Sequence, residues 1–167
     1  DVGGGSGAYC IEACKAYPQL KATVLDLPEV TLVAREFIED NNLSERVDTY
    51  DADFNKDSFP EGADIAIMAS NLPMYGREAI QAVIQKIYNV LLPDGEFHLI
   101  GEALNEDRSG PSDPAMWGLA QTLHNSTGMA HSVTECTGYL KSAGFQNIEV
   151  NDFVPEVLMR ISGRKAQ

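Results

Sequence analysis

The sequence predicts an α/β fold, a mostly parallel, doubly wound sheet closed by a C-terminal antiparallel strand pair. Three observations predict it. The chain opens on a glycine-rich turn, Asp1-Val2-Gly3-Gly4-Gly5-Ser6-Gly7-Ala8, which runs straight into a helical segment. Short apolar runs then alternate with amphipathic helical stretches, the signature of βαβ units. The first complete apolar run ends in an acid, Asp26, about 20 residues beyond Gly7, where doubly wound sheets bind the hydroxyls of a ribose.

The elements follow in order. Gly3, Gly5 and Gly7 follow an acid, Asp1, and let the backbone pass close to a ligand with no Cβ in the way. Ala8 to Tyr17 reads as a helix whose N-terminus brings unpaired N–H groups and a partial positive charge to that turn; Pro18 stops it. Lys21 to Asp26 suits a buried parallel strand, and Asp26-Leu27-Pro28 then leads into a helix. From Glu29, apolar residues at Val30, Val33, Ala34, Phe37 and Ile38 mark an amphipathic helix ending near Asn41-Asn42. Arg46 to Tyr50 is a strand, and it runs into the short acidic turn Asp51-Ala52-Asp53-Phe54. Asp53 could hold the amino group of an adenine beside the Phe54 ring, or be a solvated loop acid.

Ala63 to Ala69 is a strand whose tip, Ser70 to Gly76, forms a loop at the end where ligands sit in open α/β sheets. Glu78 to Leu92 carries one stripe, Ile80, Val83, Ile84, Ile87 and Leu91, and Pro93-Asp94-Gly95 terminates that helix. Glu96 to Glu102 is a strand, followed by a polar loop from Asn105 to Pro114. Ala115 to Leu123 is a helix containing the only tryptophan, Trp117. Ser132-Val133-Thr134-Glu135 is a capping box opening a helix that runs to Ala143-Gly144. Asn147 to Phe153 and Val157 to Ile161 complete the chain as an antiparallel pair joined through Pro155. A glycine turn of this kind should follow a buried strand, of which only Asp1 and Val2 are in the sequence, so most of that first strand is expected to lie upstream.

Composition bounds the function. The chain is 167 residues long, which suits one domain with a sizeable core. A net charge of −13 argues against nucleic acid and against an anionic membrane surface as partner, and reads as a solubilising surface. The three cysteines, Cys10, Cys14 and Cys136, form no CxxC pair, which argues against a disulfide framework or zinc site and for a reducing, cytoplasmic setting. The sequence has no signal peptide and no membrane-length apolar run.

The glycine turn, Asp26-Leu27-Pro28, Asp53-Phe54, Leu92-Pro93-Asp94-Gly95 and Ala143-Gly144-Phe145 occur in one order. Together they closely resemble the S-adenosylmethionine-dependent, small-molecule O-methyltransferases, a family of plant phenolic, hydroxyindole and bacterial polyketide-tailoring enzymes. The resemblance covers nearly the whole chain and implies a Rossmann-like class I methyltransferase fold. It implies that Gly3, Gly5 and Gly7 line the methionine part of S-adenosylmethionine, Asp26 its ribose, and Asp53 and Phe54 its adenine. Asp1 and Leu27 belong to the same cofactor-binding set. The acceptor would be a small, aromatic or polyketide-like molecule methylated at oxygen. A mostly helical N-terminal domain, absent from this chain, would build a homodimer and cover the substrate.

The catalytic positions depart from that pattern. The family's general-base histidine falls on Pro73, which cannot take a proton. One glutamate flanking the base falls on Glu102 and is kept; a second falls on Ala130 and is lost. Glu102 is therefore the surviving catalytic candidate, or a plain solvated acid. His124 and His131 are candidates for a replacement base, or ordinary loop histidines; His98 lies mid-strand. Met68, Met74, Met116 and Trp117 line an acceptor pocket or belong to the core. Pro73 leaves C-methylation open, and its loss together with Ala130 leaves a non-catalytic, cofactor-binding scaffold open. The looser fingerprint Gly3-x-Gly5-x-x-Ala8 also leaves a nicotinamide-dependent oxidoreductase as a reading.

Overall fold

The structure is a computed structural model that describes residues 1–124, 127–155 and 157–167. Its contacts divide the chain into two compact units, Asp1–Pro60 and Glu61–Gln167.

In the first unit, β1 (Ala22–Asp26) and β2 (Val47–Asp51) pair in parallel, from Ala22 opposite Val47 to Asp26 opposite Asp51. The opening dipeptide lies beside β1 as strand: Leu25 N–H donates to the Asp1 carbonyl at 2.9 Å and Gly3 N–H to the Leu25 carbonyl at 2.8 Å, bridging Val2 to Leu25 in parallel. Helix α1 (Ala8–Ala16) ends just ahead of Pro18, and α2 (Pro28–Asp40) begins on Pro28. Proline suits that first position because its fixed φ is already helical and the N–H it lacks would have no helical partner. Cys10, Ile11, Cys14, Val24, Ala34, Ile38, Leu43 and Val47 form the core of this unit.

The face of α2 differs from the one the apolar spacing predicts. Thr31, Ala34 and Ile38 are buried, whereas Val33 and Phe37 are 45% and 48% exposed. Thr31 tolerates the core because its hydroxyl bonds the Pro28 carbonyl (3.0 Å) and Asp51 Oδ1 (2.5 Å). With that polar group satisfied, the helix rotates its smaller side chains inward.

The second unit is a four-stranded sheet with helices. It comprises β3 (Ala63–Ala69), a 3₁₀ turn (Leu72–Met74), α3 (Arg77–Val90) and β4 (Leu91–Gly101). Then come α4 (Ser112–His124), α5 (Val133–Ala143), β5 (Gln146–Val154) and β6 (Leu158–Arg164). The strand order is β3-β4-β6-β5, with β3 and β4 parallel and the β4–β6 and β6–β5 pairs antiparallel. The expected terminal antiparallel pair is therefore present, with β6 inserted between β4 and β5.

Two boundaries are corrected. Helix α3 stops at Val90 and passes straight into strand at Leu91, so Pro93-Asp94-Gly95 is a kink inside β4 and not the helix terminator. The pairing with β3 jumps from Ala63–Leu91 to Ile65–Glu96 across it, and Asp94 takes a left-handed φ of 62°. Helix α4 begins at Ser112 instead of Ala115 and so includes Asp113 and Pro114. The stripe on α3 is as expected: Ile80, Val83, Ile84 and Ile87 are all buried. Both bonds of the capping box on α5 are made, Ser132 N–H to Glu135 Oε2 (2.8 Å) and Glu135 N–H to Ser132 Oγ (3.2 Å).

Candidate functional site

The glycine turn is built on three left-handed residues, Gly3, Gly5 and Gly7, with φ of 68°, 56° and 77°. Only glycine takes such angles without a Cβ penalty, so the alternation in the sequence is a backbone requirement. Gly4, which the spacing argument passed over, is required for a different reason. A Cβ there would lie 2.8 Å from the Asp1 carboxylate and 2.9 Å from Val24. Gly4→Val is therefore expected to lower stability by about 1–3 kcal/mol through overpacking, measured as the denaturation midpoint. An unchanged midpoint would show that the turn can shift to make room.

Asp26 ties the turn to β1. Its Oδ2 accepts the Gly5 N–H at 2.9 Å and its Oδ1 accepts the Leu27 N–H at 2.8 Å. Two backbone donors thus hold the carboxylate in place, and each oxygen keeps lone-pair capacity that a vicinal diol could use. Ser6, next to Gly5, leads to Gly7, which begins α1 with no side chain capping the helix. Leu27 is 39% exposed beside the acid.

The turn after β2 is held to the same place, since Ala52 N–H donates to the Asp26 carbonyl at 2.9 Å. Asp53 is engaged with its own turn, its Oδ1 accepting Asn55 N–H (2.9 Å) and its Oδ2 pairing with Lys56 (2.7 Å). The Lys56 hydrogen bond, aided by Asn55, holds its carboxyl below the usual range. Phe54 is buried. The first unit thus gathers Asp1, Gly3, Gly5, Gly7, Asp26 and Leu27, with Asp53 and Phe54 on the adjoining turn.

The second unit holds a pocket of about 420 Å³ lined by Glu102, Asp113, Met116, Trp117 and Val157. Glu102 stands one residue past the end of β4. Its Oε2 is buried, and no donor reaches it among the described residues. A buried carboxylate oxygen left unpaired is costly unless a donor from water or a ligand reaches it. Met116 and Trp117 line this pocket as the sequence suggested; Met68 is fully buried core, and Met74 is partly exposed and outside the lining. Asp113 and Val157 had no sequence signal, because their place in the pocket depends on how α4 and the β5–β6 connection fold.

The other catalytic positions do not converge on that pocket. His124 is exposed at the end of α4 and is not among the lining residues. Pro73 is fully buried, and its carbonyl accepts Met129 N–H at 3.0 Å. Ala130 packs on α4 at Gly118, where an added Cβ would come within 2.5 Å of the alanine. His98 pairs with Glu96 at 3.2 Å.

His131 is a structural residue and not a replacement base. It is fully buried, with Nε2 2.9 Å from the Tyr75 carbonyl and Nδ1 3.0 Å from the Tyr139 hydroxyl. A carbonyl only accepts, so Nε2 carries the proton and Nδ1 accepts from Tyr139, whose hydroxyl burial pushes up to about 12. No ring nitrogen is left to take a proton from a substrate.

Burial also holds the His131 imidazole below its ordinary value of 6.5. The unfolded chain therefore binds that proton first, so the stability from neutral His131 is complete above about pH 6.5 and is lost as pH falls below it. The melting temperature is expected to fall between about pH 7 and 5, with a shallower slope in His131→Gln. His98, also lowered by burial, contributes to both slopes. Equal slopes would refute this assignment to His131.

Glu135 serves as a hub as well as a cap. It accepts from Arg77 (2.5 Å) and Arg108 (2.8 Å), joining the start of α3 and the loop ahead of α4 to the start of α5. Among the described residues, no group of three or more His, Cys, Asp or Glu side chains is placed to hold a metal ion. No described helix is long and apolar enough to cross a membrane.

The sequence profile of the O-methyltransferase domain matches residues 1–146. The chain belongs to that family. It is 34% identical over 154 residues to a 3-hydroxy-5-methyl-1-naphthoate 3-O-methyltransferase of Streptomyces sahachiroi, covering 92% of this chain and 44% of the relative. It is 33% identical over 150 residues to the acetylserotonin O-methyltransferase of Gallus gallus, covering 90% and 42%. The structure superposes on human N-acetylserotonin methyltransferase, solved in complex with SAM, with a TM-score of 0.85 and 32% identity, over 100% of this chain and 47% of that one. The methyltransferase fold expected from the motifs is therefore the fold observed. The chain spans less than half the length of these relatives.

Proposed function

We propose that this chain binds S-adenosylmethionine through its glycine turn and Asp26, and directs methyl transfer to an oxygen of a small aromatic or polyketide-like acceptor. The observation that carries this reading is the left-handed turn of Gly3, Gly5 and Gly7, bonded through Gly5 to the Asp26 carboxylate. Those residues fit the cofactor: the turn brings backbone close with no Cβ in the way, and at Gly5 nothing lies within 4 Å of where a Cβ would stand. Asp26 keeps acceptor capacity for ribose hydroxyls, with the Asp53-Phe54 turn beside it for an adenine. When bound, the cofactor supplies a methyl group activated as part of a sulfonium.

The rest of the chemistry belongs to the acceptor side. Met116, Trp117 and Val157 offer apolar walls that orient a flat ring. Glu102 takes the proton of the acceptor hydroxyl at its buried carboxylate as the oxygen becomes the nucleophile. Neither Pro73 nor Ala130 can share that task, so Glu102 performs it without the family's histidine. The relatives' names supply the acceptor class, aromatic hydroxyls, and the shared family supplies the reaction.

We also read the protein as a cytoplasmic homodimer. Three free, buried cysteines support a reducing compartment. Exposed Met116, Leu119 and Leu123 on α4 support a covering partner; sedimentation of the full-length protein tests the dimer.

Calorimetry with S-adenosylmethionine and with NAD tests the cofactor on the full-length protein. Micromolar binding of the first and none of the second is expected. A panel of phenols then tests turnover, with NMR placing the methyl group on oxygen or on ring carbon. Cofactor binding without turnover of any acceptor would replace this reading with a scaffold. A methyl group on carbon would reassign the reaction.

A further inference from the structure

We propose that the acceptor carries a basic nitrogen, held as an ammonium by Asp113 and Trp117 while Glu102 faces the reacting hydroxyl. The proposal rests on the pocket being the acceptor site. Among the described residues its lining contains two acids, Glu102 and Asp113, and three apolar side chains, Met116, Trp117 and Val157, with no basic residue. Asp113, Met116 and Trp117 occupy positions i, i+3 and i+4 of α4, so one helix face presents a carboxylate, a thioether and an indole together. Glu102 closes the same space with a carboxylate oxygen that is buried and unpaired among the described residues.

That combination discriminates by charge. An acceptor bearing a carboxylate would bring a third negative group beside two others, which is unfavourable. A neutral phenol would satisfy Glu102 through its hydroxyl and leave Asp113 without a role. An ammonium answers both features, since a carboxylate and the face of an indole each attract a cation. The net charge of −13 adds a long-range field that concentrates cations at the surface. A volume of about 420 Å³ accommodates one aromatic ring with a short side arm.

Asp113 has one competing role. It lies in the first turn of α4, where an acid favours the helix dipole, and it accepts from Ser112 Oγ at 3.3 Å. That role would account for an acid at this position without any ligand. It would not account for the indole on the same helix face.

The test compares three probes of one shape: tyramine, 4-ethylphenol and 3-(4-hydroxyphenyl)propionate. Their dissociation constants are measured by calorimetry on the full-length protein with S-adenosylhomocysteine present, so that the readout does not depend on turnover. Tyramine is expected to bind at least about tenfold tighter than the neutral phenol, and the propionate at least about tenfold weaker. Asp113→Asn should reduce the tyramine advantage to about threefold or less while the neutral phenol binds as before. Asp113→Lys should reverse the order of the two charged probes. Equal affinities, the opposite order, or an unchanged preference in Asp113→Asn would overturn the proposal and leave the methyltransferase reading intact. So would the absence of binding by all three probes to protein that binds the cofactor. Failure of the wild-type protein to bind S-adenosylhomocysteine would instead overturn the underlying reading.

Discussion

Glu102→Gln is expected to lower kcat/KM for a phenolic acceptor by about 10²–10⁴-fold while leaving affinity for S-adenosylmethionine unchanged. Glutamine keeps the shape and volume of the side chain, so the pocket that Met116, Trp117 and Val157 form with it is preserved. What it loses is the capacity to take a proton. The effect should be largest for weakly acidic hydroxyls and small for phenols already ionised at the working pH, because the latter need no base. A plot of the loss against acceptor pKa checks this directly. A uniform loss across that series would mean that Glu102 orients the acceptor without removing its proton. No loss would return it to the status of an ordinary half-buried acid.

Asp26→Ala is the complementary experiment, acting on the cofactor and not on the acceptor. Hydrogen bonds to a charged group contribute about 1.5–3 kcal/mol each, so loss of the two ribose contacts proposed for Asp26 predicts at least a hundredfold weaker binding. The same carboxylate holds the Gly5 N–H and the Leu27 N–H, so the substitution also loosens the glycine turn and the start of α2. Asp26→Asn is the intermediate case. An amide can still accept from one backbone N–H, but its nitrogen then faces the other donor. Its affinity and its melting temperature should both fall between wild type and alanine. Calorimetric affinity unchanged in Asp26→Ala would remove the ribose assignment.

The elements and the glycine turn could be read from the chain because each depends on neighbours close in sequence. Three alternating glycines permit the left-handed turn that this backbone takes. Asp26 follows from strand length and from what comes before it. The capping box at Ser132 and Glu135 is a four-residue motif, and the stripe on α3 is a repeat within one helix. Such features are determined by spacing, and they survived with small shifts of boundary. The boundary at Leu91 moved because pairing with β3 outweighed the turn chemistry of Pro93-Asp94-Gly95.

The remaining features depended on residues far apart in sequence. Spacing predicted Val33 and Phe37 inside, yet Thr31 on α2 went inside, where Asp51 of β2 accepts its hydroxyl. Gly4 looked redundant until Asp1 and Val24 closed around it. His131 was a candidate base by residue type alone; Tyr139 and the Tyr75 carbonyl, reached only by folding, consumed both its nitrogens. Glu102 was already the surviving catalytic candidate by resemblance, but only the packed chain buried one of its oxygens, unpaired among the described residues, and set it in a pocket with Asp113 and Trp117. By itself the sequence carried the family resemblance in its motifs, and the order of elements and the glycine turn followed from local backbone geometry and spacing. Tertiary structure decided which polar groups are spent on the fold and which remain for chemistry, because burial and hydrogen-bond partners exist only once distant segments meet.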